Sequence, residues 1–575
     1  MKYDAITKEI YYRLFTSTFI IQIALATYSV SDEVIIGNFL GEVALAASSL
    51  VLPVFMLMTA MMDMIAIGGT NIFSSEVGKG DTKSANRYFS ATIAVAACMG
   101  LLVSVLALFF VDPLVHLFGA KGEMVSLTKE YLVVIIYSIP IMLVYTCMEF
   151  FVRNDGKPNL ALASNITFIV INICFNIYFV GYTDMGIAGA GWATILAIVI
   201  ALFVTLLTFF SKTNTLHFCF SFSFRDMFFI LKTGCGMATK YIYKMLTILL
   251  FNNLIMHYYH YEGIVVYTVI FNMLMLVTAI FEGVRNTIQP IVSTYIGEGN
   301  NKGIREVMHI ARNNASLLCI ITILLLEVFP ESVSYLFGIE DQQLIPLINQ
   351  GIRIYAFVIL FMTFNEVMSY YYQFVNQLKI SFIVMTLKGL VVLLPCNLLL
   401  MYLGGLNGLW SGFVLTEMIT GALLILIARR TAKKSNNTLS QFLLLEKKLD
   451  VGMLSISMRA NKNVLIDSIR QIEEFLNRND VDELQKTKMI LSVEEIVLNI
   501  IEHNHKQHNA LIEIQVILGE NISLIIRDNC KNFDPTKNIE TKDAEKNLGL
   551  KIIKGVSTDF QYVPTIGYNR VILTF

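Results

Sequence analysis

Through the first 430 positions apolar residues run in stretches of about 20, separated by short polar breaks; beyond ARRTAKKSNN (428–437) charged and apolar residues alternate. A helix of about 20 residues spans a hydrocarbon core of ~30 Å, and a chain in lipid must satisfy its backbone internally, so each stretch predicts a transmembrane helix. Twelve crossings are predicted, centred roughly on residues 25, 58, 100, 141, 170, 199, 245, 278, 321, 361, 390 and 418. From 456 onward the pattern predicts a strand, helices over 463–478 and 482–504, strands over 510–517 and 521–528, a helix over 547–556 and terminal strands, an α/β sandwich. The expected organisation is a membrane domain over 1–430, a linker over 431–455 and a soluble domain over 456–575.

Composition agrees. The 575 residues are 55% hydrophobic and 15% charged, against about 25% charged in ordinary soluble domains, which excludes a wholly soluble or disordered protein. With 43 Lys+Arg against 44 Asp+Glu, no global basic field points to nucleic acid. Eight scattered cysteines without a C-x-x-C pair argue against a zinc ribbon or a disulfide framework. The amino-terminal MKYDAITKEIYYRLF is charged and lacks a small-residue cleavage site, so no removable signal peptide is expected. Cations concentrate in alternate loops: Lys79/Lys83/Arg87, Arg153/Lys157, Lys212/Arg225, Lys302/Arg305/Arg312 and Lys379. The rule that positive loops stay inside then places both termini and the soluble domain in the cytoplasm of a multi-pass plasma-membrane protein.

The membrane part repeats at an offset of 219 residues. Gly78-Lys79-Gly80-Asp81 pairs with Gly297-Glu298-Gly299-Asn300, and Met185-Gly186-Ile187-Ala188-Gly189 with Gly404-Gly405-Leu406-Asn407-Gly408. Two six-helix lobes follow, over about 1–212 and 220–430. An even helix count per lobe makes the repeats parallel, related by an axis along the membrane normal.

Ionisable and polar groups inside lipid are costly and mark candidate sites. Asp32 follows the apolar stretch of the first helix beside Glu33, and one of the two carboxylates can face inward. A carboxylate in a partly dry cavity can exchange a proton or hold a sodium ion; the alternative is a helix-end group facing the vestibule. Asp63 and Glu282 lie 219 apart and suggest a pathway lining both lobes, unless Glu282 merely pairs with Arg285 one turn on. Asn172 and Asn176 share a helix face, where they either coordinate a cation or substrate or bond to another helix. Glu366 and Glu149 are weaker candidates, and Lys240 and Lys244 are expected to snorkel toward the cytoplasm.

In the soluble part three clusters carry candidate chemistry. Glu495, Asn499 and His503 fall at i, i+4 and i+8 on one helical stripe, where a carboxylate beside an amide oxygen can act as base and magnesium ligand. Asp528 ends the strand ISLIIRD, where its carboxylate can accept a hydrogen bond from an adenine amine. Asn547-Leu548-Gly549-Leu550 opens a helix whose amides can face phosphates.

Residues Tyr28, Asp32 and Gly37, with GGTNIFSSEVGKGD (68–81), its echo TIQPIVSTYIGEGN (287–300), RNDGKPNLA (153–161), NICFNIYFV (172–180) and MGIAGAGWAT (185–194), resemble multidrug and toxin extrusion (MATE) transporters over about residues 10–430. The resemblance implies antiport of organic, often cationic, compounds out of the cell against H+ or Na+. Asp32 aligns with the family's ion-coupling carboxylate and Asn172 with its helix-5 asparagine, while Asn176 stands where the family commonly has Asp. EEIVLNIIEH (494–503), RDNCKNFDP (527–535) and NLGLKIIKGVSTDFQY (547–562) resemble the GHKL (Bergerat-like) ATPases, most closely the anti-sigma factor serine kinases. That resemblance implies ATP and Mg2+ binding, with Glu495 as catalytic base, Asn499 as magnesium ligand, Asp528 as adenine anchor, and Gly549 and Leu550 in the lid. Cys530 and Asn547 replace glycines of that pattern. The combined expectation is an exporter of small organic cations in the lipid bilayer, with a regulatory ATP-binding module. The alternatives are a receptor that phosphorylates a cytoplasmic partner protein through a serine/threonine kinase activity, and a lipid-linked glycan exporter.

Overall fold

A computed structural model describes residues 5–336, 341–435, 439–440, 442–446, 452–503, 510–519, 521–530, 534–538 and 548–575. Asn547 and the side chain of His503 lie outside the described residues. Six membrane helices form the first lobe: α1 (Ala5–Leu40), α2 (Leu52–Lys79), α3 (Thr82–Phe109), α4 (Met124–Asn154), α5 (Pro158–Tyr182) and α6 (Gly186–Leu206). The second lobe opens with a 75-residue helical run, Phe224–Glu298, broken at His260 (φ 51°, ψ −149°) into α7 (224–259) and α8 (261–298). Then come α9 (Asn301–Val328) and α10 (Leu344–Phe374). Helix α11 starts as Leu378–Thr386, passes a π-helical turn at Leu387–Val391 and runs to 403; a break at Gly404–Gly405 separates it from α12 (406–434). Ten stretches are long and apolar enough to cross a membrane. One of them, Leu378–Lys434, divides at that glycine pair, and 224–259, which carries Lys232, Lys240 and Lys244, completes twelve crossings among the described residues. Leu101, Leu102, Val105, Leu106 and Phe109 form an exposed apolar stripe on α3, the face expected of a helix bathed in lipid.

The 219-residue offset is visible as matching backbone chemistry. Gly80 and Gly299 end α2 and α8 in the left-handed region (φ 87° and 68°). Asp81 and Asn300 then cap α3 and α9, accepting from the amides of Ser84 (2.9 Å) and Gly303 (2.8 Å). Gly186 and Gly405, also 219 apart, turn the chain at φ 54° and 63°. Residues at this offset also touch one another where α2 meets α8. Gln289 Nε2 donates to Thr70 Oγ1 (3.4 Å), and a Cβ on Gly297 would stand 3.0 Å from Gly78 Cα. Contacts between equivalent positions lie on a two-fold axis, so the axis relating the lobes passes between these two helices.

The C-terminal domain is a five-stranded antiparallel sheet in the order β1-β2-β3-β5-β4, from β1 (Met453–Arg459), β2 (Leu511–Ile517), β3 (Ser523–Asp528), β4 (Asp559–Tyr562) and β5 (Asn569–Thr574). Helices α13 (Lys462–Arg478), α14 (Glu483–His503) and α15 (Leu548–Val556) pack on it. Leu465, Ile472, Leu476, Met489, Val493 and Val497 meet alternate strand residues such as Ile512, Ile514, Val516, Leu524, Ile526 and Leu573.

Close packing of α2 on α7 rests on two glycines: a Cβ on Gly234 would fall 1.8 Å from the Met64 carbonyl oxygen, and one on Gly68 2.4 Å from that of Ile230. Gly234→Ala is therefore expected to lower the thermal-unfolding midpoint of the purified protein by the equivalent of about 1–3 kcal/mol, the usual cost of overpacking. Gly404→Ala, where an added methyl meets nothing within 4 Å, leaves the midpoint unchanged in the same scan.

Candidate functional site

In the first lobe α1 and α5 bring three of the sequence-derived residues together. Asn176 Nδ2 donates to Asp32 Oδ1 (2.8 Å). One turn earlier on α5, Asn172 Nδ2 donates to Thr194 Oγ1 (3.0 Å) and to the Tyr28 hydroxyl (3.5 Å). Both asparagines are fully buried, and their Oδ1 atoms have no hydrogen-bond partner. Asp32 is half-buried while Glu33 is exposed, so one carboxylate turns inward. The Asp32 carboxylate and the two unpartnered amide oxygens of the neighbouring asparagines are groups that can accept a proton or a hard cation.

The second candidate group is a chain of ion pairs that joins the lobes. Arg285 of α8 reaches Asp63 of α2 (Nη1–Oδ2 3.3 Å) and Glu282 (3.8 Å), so the carboxylates at the repeat offset share one guanidinium. Tyr241 donates to Asp63 (3.1 Å). Lys240 does not snorkel: its Nζ lies 3.3 Å from Glu282, 3.8 Å from Glu366 and 2.8 Å from the Tyr370 hydroxyl. Lys388 continues the chain, 2.7 Å from Glu366 and 3.2 Å from Glu417. It sits in the π-helical turn of α11, a distortion often found at functional positions. Glu149 lies apart, 3.6 Å from Arg153. Sequence reasoning singled out Asp63, Glu282 and Glu366 but missed Lys388 and Glu417. They are the two charges inside the apolar stretch 380–428, the same signal that exposed the others.

In the C-terminal domain α14 places Glu495 and Asn499 one turn apart, with Asn499 Nδ2 donating to Glu495 Oε1 (3.0 Å). Gly549 faces this pair so closely that a Cβ there would stand 2.1 Å from Glu495 Oε1, so any larger residue would have to push the Glu495 carboxylate aside. The Leu550 side chain packs into the domain core. Asp528 is buried; Oδ1 accepts from the Cys530 amide (2.9 Å) and from Asn569 Nδ2 (2.8 Å), and Tyr562 donates to Asn569 Oδ1 (2.7 Å). Burial raises the Asp528 carboxyl above its ordinary range, and the bonds from Asn569 and Cys530 pull it back. Cys530, which stands where the resemblance expects a glycine, has no left-handed backbone, and burial pushes its thiol up to about 12. Asn569 and Tyr562 were not foreseen, because only the pairing of β3 with β5 sets Asn569 opposite Asp528. A carboxylate beside an amide can act as a base or help hold a cation, and the Asp528 carboxylate can accept a further hydrogen bond.

Residues 18–178 and 234–402, more than half of the chain, match the model of the MatE family. Residues 459–575 match that of the histidine kinase-like ATPase domain. The chain is similar to the multidrug export protein MepA of Staphylococcus saprophyticus, at 26% identity over 196 residues, 34% of this chain and 43% of that protein. It thus spans less than half the length of that relative. MepA of Staphylococcus haemolyticus matches at 22% over 403 residues, 70% of this chain and 88% of that protein. Among solved structures, an outward-facing multidrug resistance MATE family transporter superposes with a TM-score of 0.71 at 21% identity, over 76% of this chain and 97% of that one. A MOP superfamily transporter from Pyrococcus furiosus, described as having a binding pocket of reverse polarity, superposes at 0.70 and 21%, over 75% and 97%. These structural likenesses show a common membrane fold. The chain belongs to the MatE family of multi-pass membrane transporters and carries a histidine kinase-like ATPase domain at its carboxyl end.

Proposed function

We propose that the protein exports small organic cations across the plasma membrane in exchange for H+ or Na+, under the control of a cytoplasmic ATP-binding domain. The carrying observation is the Asp32–Asn176–Asn172 group: a half-buried carboxylate met by the Asn176 amide nitrogen, with the buried oxygens of both asparagines without partners. A proton or sodium ion arriving there neutralises Asp32, and a cationic cargo seeks the same charge. The two exclude each other, and that competition couples ion entry to cargo release. With Asn at 176, Asp32 is the inward-facing carboxylate of this seat among the described residues, so one bound cation suffices to neutralise it. The ion-pair chain from Asp63 to Glu417 crosses from α2 to α12 and holds the lobes in register. The C-terminal domain meets the ends of α2 and α8, where Lys79, Lys83 and Lys302 lie, which supports a cytoplasmic location. In that domain Asp528 would hold the adenine amine, and Asn499 would hold Mg2+, which neutralises phosphate charge when bound; Glu495 is placed to take a proton.

In proteoliposomes an imposed proton or sodium gradient should drive transport of a fluorescent organic cation, and Asp32→Asn should reduce that flux at least tenfold without changing expression. Absence of gradient-dependent flux, or full activity in Asp32→Asn, would overturn the transport assignment. Binding of a fluorescent ATP analogue to the full chain should weaken about 10- to 100-fold in Asp528→Asn, as expected for loss of a hydrogen bond to a charged group. Gly549→Val should abolish it by filling the space beside Glu495; unaltered binding in both variants would place the nucleotide elsewhere.

A further inference from the structure

Strands β2, β3 and β5 have two buried faces. One set of alternate residues lies under α13–α15; the other, Glu513, Arg527 and Arg570, is buried against the membrane domain. Arg527 Nη2 lies 2.6 Å from Glu298 Oε2, and its Nη1 3.0 Å from Glu513 Oε2. Arg570 Nη1 donates to the Gly78 carbonyl (2.8 Å) and stands 3.6 Å from Glu298 Oε1. Gly78 closes the last turn of α2 in the first lobe, and Glu298 ends α8 in the second. A Cβ on Gly78 would be 2.1 Å from the Thr294 carbonyl oxygen of α8, so the lobes meet tightly here. One guanidinium therefore grips both lobes at their point of contact.

Further ties reach each lobe separately. Asn529 donates to both carboxylate oxygens of Glu9 on α1 (3.1 and 3.0 Å). Arg13 of α1 donates to the Ile566 carbonyl and lies 4.7 Å over the Tyr568 ring. At the end of α10 in the second lobe, the hydroxyls of Tyr371 and Tyr372 donate to the carbonyls of Leu443 and Phe442 in the linker (2.9 Å each).

The nucleotide seat lies one residue away on the same strands. Arg527 pairs with Arg570 across β3 and β5, and the next rung pairs Asp528 with Asn569, whose side chains are hydrogen-bonded on the opposite face of the sheet. A ligand that draws on Asp528 therefore acts on the rung adjoining the grip on Gly78 and Glu298. Parting the lobes at this end would separate Gly78 from Glu298, and Arg570 cannot follow both: staying with Glu298 gives up its bond to the Gly78 carbonyl, and following Gly78 gives up its carboxylate partner.

We propose that the C-terminal domain is a nucleotide-linked latch, in which ligand occupancy at Asp528 and separation of the ends of α2 and α8 are coupled equilibria. The inference rests on the nucleotide site proposed above. Because linkage is reciprocal, ATP must shift the lobe equilibrium if lobe separation shifts ATP affinity.

The test uses the full chain in lipid nanodiscs, with the exposed Cys98, Cys174 and Cys235 replaced by serine. Spin labels at Lys79→Cys and Lys302→Cys report the distance between the lobe ends. ATP should change the ratio of long to short distances at least fivefold, in the range usual for coupled sites. Arg570→Gln should still bind the fluorescent ATP analogue but lose that response; Glu298→Gln, altered on the membrane side, should do the same and serves if the first variant does not fold. Nucleotide binding with an unchanged distance ratio would overturn the latch while leaving the site intact, as would a full response in both variants. Failure of the unaltered chain to bind nucleotide at all would remove the site, and the latch with it.

Discussion

An unpaired ion in a dry interior costs more than a fold can supply, and that constraint organises this molecule. Breaking a buried pair by removing one partner typically costs about 3–5 kcal/mol. Among the described residues of the membrane domain each buried charge has accordingly been met by one of opposite sign, often from a different element: Asp63 by Arg285, Glu366 by Lys388, Glu298 by Arg527 and Arg570. These pairings tie α2 to α8, α10 to α11, and the membrane domain to its carboxyl-terminal companion. Hydrophobic periodicity alone would give twelve greasy cylinders with many equivalent arrangements. The ion pairs, with the glycine contacts between α2, α7 and α8, select one.

Against this background the Asp32 seat stands out. Asp32 is met by an amide rather than a cation, and the asparagine oxygens beside it are met by nothing. No cation faces it among the described residues, which is the opening that the proposed exchange uses. In the ion-pair chain, by contrast, carboxylates and cations already satisfy each other. The division between a fixed, balanced network and a deliberately incomplete seat follows from which helices carry asparagine and which carry lysine or arginine.

Much of this was legible in the chain. Long apolar stretches gave the crossings, because lipid leaves the backbone no other solution. The paired GKGD and GEGN segments announced the repeat, and they proved to be the same pair of caps, a left-handed glycine followed by an aspartate or asparagine. Asn172 and Asn176 could be put on one face because helical spacing is rigid. What could not be read was partnership across elements. Lys240 was expected to reach for the interface, yet three neighbours from α8 and α10 hold it inside, and no local pattern encodes that. Alternation along β3 distinguishes Arg527 from Asp528 as facing opposite ways, but it says nothing of what covers the arginine face. Asn569 became significant only through its register against Asp528.

The two lobes are related by symmetry, yet a single domain sits on them in a single orientation. Lys79 and Glu298 occupy equivalent places, 219 residues apart, at the ends of the equivalent helices α2 and α8. The lysine is largely exposed and pairs with its own neighbour Glu76, whereas the glutamate is buried beneath two arginines. Had both repeats ended in glutamate, the arginine face would have met two equal berths and could have settled on either. Divergence at this position of a duplicated sequence helps to break the degeneracy: the first lobe offers the arginine face a carbonyl at Gly78, and the second offers it a charge at Glu298.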